Sequence, residues 1–290
     1  MGIRKQFSRI NWPVAGGIGA IHVGALAAFW PGLFAWSALV VMGALSITTS
    51  AIGISLCFHR MLTHRGLRLA KPLEYVTAIF GTLAFQGGPI TWVATHRAHH
   101  AATDRAGDPH GADRGFFWSH CEWLFVRNDA VPDGDEKRRL VPELTSKAFY
   151  RFLDRYNVQL QIVLAGALYL SGGWPWLVWG TFVRLVVMYH TAWLVNSAAH
   201  TFGYRTYRTD DRSKNNWWVA LISWGEGWHN NHHAFQFSAR LGLQWFEFDP
   251  VWLVIRALSF LHLADSIKVP TPEMRKRLLS GTRARQAVGD

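Results

Sequence analysis

Fourteen histidines occur in a chain of 290 residues, and most of them fall in short clusters. "HRMLTH" carries His59 and His64, "HRAHH" carries His96, His99 and His100, and "HNNHH" carries His229, His232 and His233. A fourth stretch, "NSAAH", brings Asn196 and His200. Neutral imidazole suits zinc, copper, iron and nickel, so the clusters point to metal without choosing which. A structural zinc site wants four closed ligands, and there is no HExxH of a metalloprotease. Nine imidazoles are enough for four or five ligands on each of two metals.

Spacing says how they can meet. His96, His99 and His100 stand at i, i+3 and i+4, as do His229, His232 and His233, so each trio can share one helical face. Asn196 and His200 form an i, i+4 pair. The first box differs, because five α-helical residues leave His59 and His64 roughly 140° apart. Either the helix ends inside that box, or its two imidazoles serve different metals. Adjacent His99 and His100 diverge by about 100°, which suits two metals better than one.

The elements that must carry these boxes read as membrane helices. Half the residues are hydrophobic, 16 are Trp, and the formal charge is +11, an all-α integral membrane protein by composition. Four spans are expected, about 14–30, 33–57, 156–172 and 176–199, forming two hairpins split at Pro31-Gly32 and at Gly172 to Pro175. Cationic residues flank the ends away from the hairpin tips: Arg4, Lys5 and Arg9, then Arg60, Arg65 and Arg68, then Arg205, Arg208 and Arg212. By the positive-inside rule both termini and the bulk of the polar chain are expected on the cytoplasmic side. His59 and His200 then emerge at one level, beneath a cytoplasmic helical cap over about 58–155 and 200–265.

Other segments fit this frame. Leu73 to Trp92 is apolar, but Glu74 and the break at Gly87-Gly88-Pro89 argue for an interfacial or re-entrant path, which keeps His96 near His59. Pro142 to Tyr156 and Pro250 to Leu263 read as interfacial helices, and 266–290 as a loose basic tail. The basic excess flanks spans and lacks a recognition module, so no nucleic acid is expected. Cys57 and Cys121 form no CxxC.

These boxes, with "GTLAFQGGPITW", "GDPHGADRGFFWSH" and the later "SAR", resemble the membrane-bound fatty acyl desaturases, specifically the Δ9 branch of stearoyl-CoA desaturases and bacterial relatives. The resemblance spans roughly residues 33 to 265. It implies two non-haem iron ions held by His59, His64, His96, His99, His100, His200, His229, His232 and His233, with Asn196 reaching one iron through water. It also implies dioxygen as co-substrate, two electrons from a separate ferredoxin or cytochrome, and a cis double bond between carbons 9 and 10. Gln86 and Trp92 match residues lining a bent acyl tunnel. A threonine that usually completes that group falls at Ala192, beside Thr191. Ala94-Thr95 stands where acyl-CoA members carry Arg-Asp, so acyl-CoA, acyl-lipid and acyl-carrier-protein substrates all stay open.

Ligating imidazoles usually donate their second N–H to a carboxylate or carbonyl, and Asp108, His110, His120 and Glu226 are candidates for that layer. His22 and His190, inside spans, read as structural groups that hydrogen-bond a neighbouring helix, and Arg184 as lining a cavity or pairing locally. A hydroxylase or ketolase would share the metals but return oxygen to carbon. A metal or haem carrier would instead show parallel His pairs midway through its spans, which the sequence does not reveal.

Overall fold

The computed structural model describes residues 10–279. Among the described residues the regular elements are helices apart from one short antiparallel pair, Arg68–Leu69 with Ala264–Asp265, and isolated bridges. Among the same residues three helices are long and apolar enough to cross a membrane: Trp12–Phe29, Trp36–Thr63 and Asn157–Thr201. The third is broken at Gly173, whose φ of 64° and ψ of −156° are non-helical. Twelve residues of straight helix would separate Leu168 from Gly180 by about 18 Å, yet a Cβ on Gly180 would meet Leu168 Cδ1 at 2.9 Å. The chain therefore doubles back at the glycine, where the sequence places the second hairpin tip. The two tips touch: the indole N–H of Trp179 donates to Leu33 O (2.8 Å) and that of Trp176 to Ser37 Oγ (3.1 Å).

The second long helix departs from α geometry. It is α-helical over Trp36–Ser46 and then π-helical over Ile47–Thr63, running past the limit at residue 57 read from the sequence and carrying box one as part of the same rod. Hydrogen bonds in this winding close over five residues rather than four. At its end the His64 N–H donates to His59 O (3.1 Å), and the Thr63 hydroxyl to Phe58 O (2.7 Å).

Leu73 to Trp92 is not one rod. Lys71–Thr82 packs along the π segment at a point where only glycine fits: a Cβ on Gly53 would stand 2.3 Å from Gly81 N. After a turn through Phe85 and Gly87, both at positive φ, Pro89–Ala102 returns "HRAHH" to box one. Asp154, from the Ala148–Arg155 helix, caps that second helix by accepting from Thr91 N (2.8 Å) and Thr91 Oγ1 (3.1 Å). Side-chain oxygens on the free N–H groups of a first turn fix where a helix begins.

Beyond the last long helix the chain forms short helices, Trp217–Ile222, His229–Ala234 and Pro250–Phe260. The segment read as a loose tail is tied down as far as Leu279. Lys268 N–H donates to Gly66 O (2.7 Å), and Lys268 O accepts from Ala239 N (2.8 Å). Leu278 and Leu279 pack against Tyr207, Phe235 and Leu243. Backbone pairing and apolar burial outweigh the basic composition there. The remaining basic residues of that tail, Arg283 and Arg285, lie outside the described residues, as do Arg4, Lys5 and Arg9.

Candidate metal centre

The boxes converge as two groups. Imidazole nitrogens of His59, His64, His96, His100 and His232 lie within 4.8 Å of one another, and those of His99, His200, His229 and His233 form a second such set. Adjacent His99 and His100 go to different groups, as do His232 and His233, in keeping with their 100° divergence. His59 and His64 go to the same group, with ring centroids 4.9 Å apart. Their separation on an α-helix disappears because π winding turns each residue through a smaller angle, bringing residues five apart nearly into line.

Short contacts define the centre of each group. His232 Nε2 lies 3.0 Å from His59 Nε2 and 2.9 Å from His100 Nε2, while His100 and His96 approach to 3.1 Å through the same atoms. In the second group His233 and His229 meet at 3.0 Å.

Four imidazoles meet carboxylates at Nδ1. His99 contacts Asp108 (2.9 Å), His200 contacts Asp104 (2.8 Å), His233 contacts Asp211 (2.9 Å), and His59 lies 2.6 Å from Glu226. A proton on Nδ1 facing a carboxylate leaves Nε2 as a lone pair. For His200 that atom is buried and has no hydrogen-bond partner, and His64 Nε2 is likewise unpartnered. Buried lone pairs aimed at a shared point, backed by four carboxylates, fit cations. The donor set therefore suits two metal ions, one per group.

Electrostatics agree. Burial, reinforced by the neighbouring imidazoles, holds His64, His96, His100, His229 and His232 well below the ordinary histidine range, in the neutral form a metal needs. Burial also lowers His233, to about 4, although Asp211 pulls the other way. For Asp104, Asp108, Asp211 and Glu226 burial acts to raise the carboxyl, but the facing imidazole and further hydrogen bonds outweigh it and hold each below its usual value.

The local folding explains the box-three sequence. A six-residue helix cannot sustain itself alone, and the two asparagines of "HNNHH" anchor it. Asn230 Oδ1 accepts from Thr206 N and Tyr207 N, both at 2.8 Å. Asn231 Nδ2 donates to Leu241 O (2.9 Å) and Glu247 Oε2 (2.7 Å). On the box-one side, buried Arg60 spans Asp249 Oδ2 (2.9 Å), Ala239 O (3.0 Å) and Glu226 Oε1 (3.5 Å).

The other expected residues divide. Glu226 contacts His59 and Asp108 contacts His99. His110 stacks on His99 at 4.3 Å, and burial lowers it to about 3. His120 bonds instead to Ser197 Oγ and to His190 Nδ1, both at 3.0 Å. His190 in turn faces His22, Nε2 to Nε2 at 3.2 Å. The spans thus hold one His pair that the sequence did not reveal, because its members lie 168 positions apart; the two rings meet edge to face and bridge helices by a direct hydrogen bond. Trp92 donates to Gln86 Oε1 (3.3 Å) and stacks on His96 at 5.0 Å. Asn196 sits one turn before His200. Thr191 directs its hydroxyl to Met188 O (3.0 Å) in its own helix, with Ala192 beside it.

Sequence reasoning missed Asp104, Asp211 and Arg60. Asp104 follows box two by four residues but serves His200, and Asp211 serves His233 from a loop. The rule that ligating imidazoles seek carboxylates predicts such partners. Nothing in the spacing says which carboxylate meets which imidazole.

The fatty acid desaturase family model matches residues 30–263. The chain is 48% identical to an sn-1 stearoyl-lipid 9-desaturase of Anabaena variabilis, over 90% of this chain and 95% of that protein. It is 43% identical to an sn-2 palmitoyl-lipid 9-desaturase of Nostoc sp. (strain 36), over 93% and 94%. It is also 45% identical to an acyl-CoA C20 Δ5-desaturase of Anemone leveillei, over 91% and 83%. A match across most of the chain, with the histidine boxes gathered beside apolar helices, makes this protein a membrane oxidoreductase of the fatty acid desaturase family.

Proposed function

We propose that this chain inserts a cis double bond between carbons 9 and 10 of a saturated acyl chain, consuming dioxygen and two electrons at a centre of two non-haem irons. The observation that carries the reading is the division of nine imidazoles into groups of five and four, with carboxylates behind four of them. His59, His64, His96, His100 and His232 would hold one iron and His99, His200, His229 and His233 the other, with Asn196 as a further candidate through water. When bound, the irons supply the oxidising power that removes hydrogen from an unactivated methylene.

The protein's own part is placement and dryness. Glu226, Asp108, Asp104 and Asp211 keep protons on Nδ1, so the opposite nitrogens face the metals. Trp92, stacked on His96 and hydrogen-bonded to Gln86, forms an apolar wall with a fixed polar edge. A wall of that kind at the metals can set which methylenes are presented, and positioning of that sort contributes several kcal/mol to a reaction barrier. Thr191 and Ala192 stand on the last long helix as its counterpart.

The acyl carrier is a membrane glycerolipid. Ala94-Thr95 offers no charged pair for a nucleotide headgroup, and the Anabaena and Nostoc relatives are named for lipid substrates. Acyl-CoA and acyl-carrier protein are the alternatives. Electrons come from a separate ferredoxin or cytochrome that meets the basic cytoplasmic face. In this reading the chain crosses the membrane four times, with the cap and both termini cytoplasmic in a bacterial inner membrane; the flanking cations and the fold-back at Gly173 support the crossings and their orientation.

Expression in a host lacking unsaturated fatty acids, with a competent donor, tests the chemistry. New 9-enoic chains, located by mass spectrometry in glycerolipids and lost in His232→Ala, are expected. A hydroxylated product, or unchanged lipids at full iron loading, would overturn the reading.

A further inference from the structure

Beside box one, and lined by none of the nine box histidines, a cleft of about 270 Å³ opens between Lys71–Thr82, Ala148–Arg155 and the segment around residue 266. Five cations line it: Arg65, Arg68, Lys71, Lys147 and Lys268. Only two carboxylates, Glu74 and Glu143, oppose them there. Glu143 is taken by Arg65 (2.9 Å) and by Arg97 (2.7 Å) from outside the cleft. Glu74 is taken by Lys71 (2.7 Å) and by the Tyr150 hydroxyl (2.6 Å). Among the described residues Arg68, Lys147 and Lys268 form no ion pair, although Asp265 stands opposite Arg68 in the strand pair, so positive charge is in excess in this cleft. Like charges gathered in a concave site repel unless an anion joins them.

The walls indicate which anion. Met61, Leu62 and Leu144 give the cleft an apolar floor. The two helices that frame it expose Tyr75 and Val76 on one side and Phe152 and Tyr156 on the other. Apolar and aromatic side chains exposed beside a basic hollow, at the end of a membrane helix, mark the headgroup level of a bilayer. The volume suits a headgroup rather than a drug-sized molecule.

We infer that this cleft binds a phosphate-bearing anion, the headgroup of an anionic glycerolipid of the surrounding membrane, at a site separate from the metal centre. Arg68, Lys147 and Lys268 contact the phosphate, and the acyl chains leave past Tyr75 and Phe152. The inference rests on the membrane placement, not on the desaturation chemistry.

The test uses purified full-length protein in neutral detergent. Short-chain phosphatidylglycerol, short-chain phosphatidylcholine and inorganic phosphate are titrated separately, read by native mass spectrometry and by the shift in melting temperature. Phosphatidylglycerol is expected to bind saturably and more tightly than phosphatidylcholine, with a loss of about tenfold or more in Arg68→Gln/Lys147→Gln/Lys268→Gln. Iron content should stay at the unsubstituted level, which separates a lost lipid site from a lost fold. If the triple variant does not fold, Arg68→Gln and Lys268→Gln, each weakened in the same direction, carry the test. Competition by millimolar inorganic phosphate supports the anion site and assigns it to free phosphate. Equal retention of the two lipids, or unchanged phosphatidylglycerol binding in the variants, overturns the inference, whatever the desaturase assay shows.

Discussion

The His59 and His64 rings lie 4.9 Å apart although the two residues are five positions apart in sequence, and both face His232, at 4.4 and 4.6 Å. The π winding of Ile47–Thr63 makes this possible, and it leaves one imidazole group with five members and the other with four. Loss of one ligand should therefore be unequal in effect. His64→Ala leaves four imidazoles in its group, whereas His229→Ala leaves three. Iron per chain, measured by plasma mass spectrometry, is expected to fall further in His229→Ala, and both variants should lose activity. Equal iron loss would contradict the five-and-four division.

Carboxylates behind the ligands make a second, graded expectation. Asp211→Asn and Asp104→Asn keep the shape but remove the charge facing His233 and His200. Each should weaken metal binding about 10- to 100-fold. Competition against a chelator of known affinity reads this directly. Glu143→Gln, at a carboxylate bound by Arg65 and Arg97 rather than by a ligand, should leave metal affinity unchanged.

Gly53 and Gly81 let two helices touch backbone to backbone. Gly53→Ala places a methyl group against Gly81 N, an atom that cannot swing aside. Overpacking of this kind costs about 1–3 kcal/mol, and the upper part of that range is expected here. The melting temperature in detergent should drop accordingly, while Gly43→Ala, with nothing within 4 Å, should not lower it.

Asp154 fixes the start of the box-two helix from another element. Asp154→Ala should cost about 0.5–2 kcal/mol, the usual loss on removing a helix cap. Asp154→Asn, which retains an accepting oxygen, should recover most of the difference in thermal unfolding.

Gln86 holds the Trp92 indole by its N–H. Gln86→Leu removes the acceptor while nearly keeping the volume. Iron loading is expected to persist, and double-bond positions should spread away from carbon 9 in mass-spectrometric mapping. A single unchanged position would remove Gln86 and Trp92 from the determinants of regioselectivity.

Hairpin breaks, trios and the opposed directions of His99 and His100 follow from local chemistry: Gly-Pro pairs, i and i+4 spacing, and 100° steps. Box one was ambiguous because angular spacing presumes α winding, and no local feature of "SLCFHRMLTH" marks a π-helix. Asp104, Asp211 and the His22–His190–His120 series depend on contacts between distant segments. The basic stretch after residue 266 reads as loose by composition, yet backbone pairing of Lys268 with Gly66 and Ala239 holds it.

That last pairing bears on how the protein is made. The turn after box one finds its backbone partners at residues 264–268, nearly two hundred positions later in synthesis. A ribosome therefore delivers all nine imidazoles before it delivers the segment that pairs with this edge of the fold. Metal acquisition can thus precede closure, and a chain truncated before residue 264 would carry a complete set of ligands in a vessel with no latch.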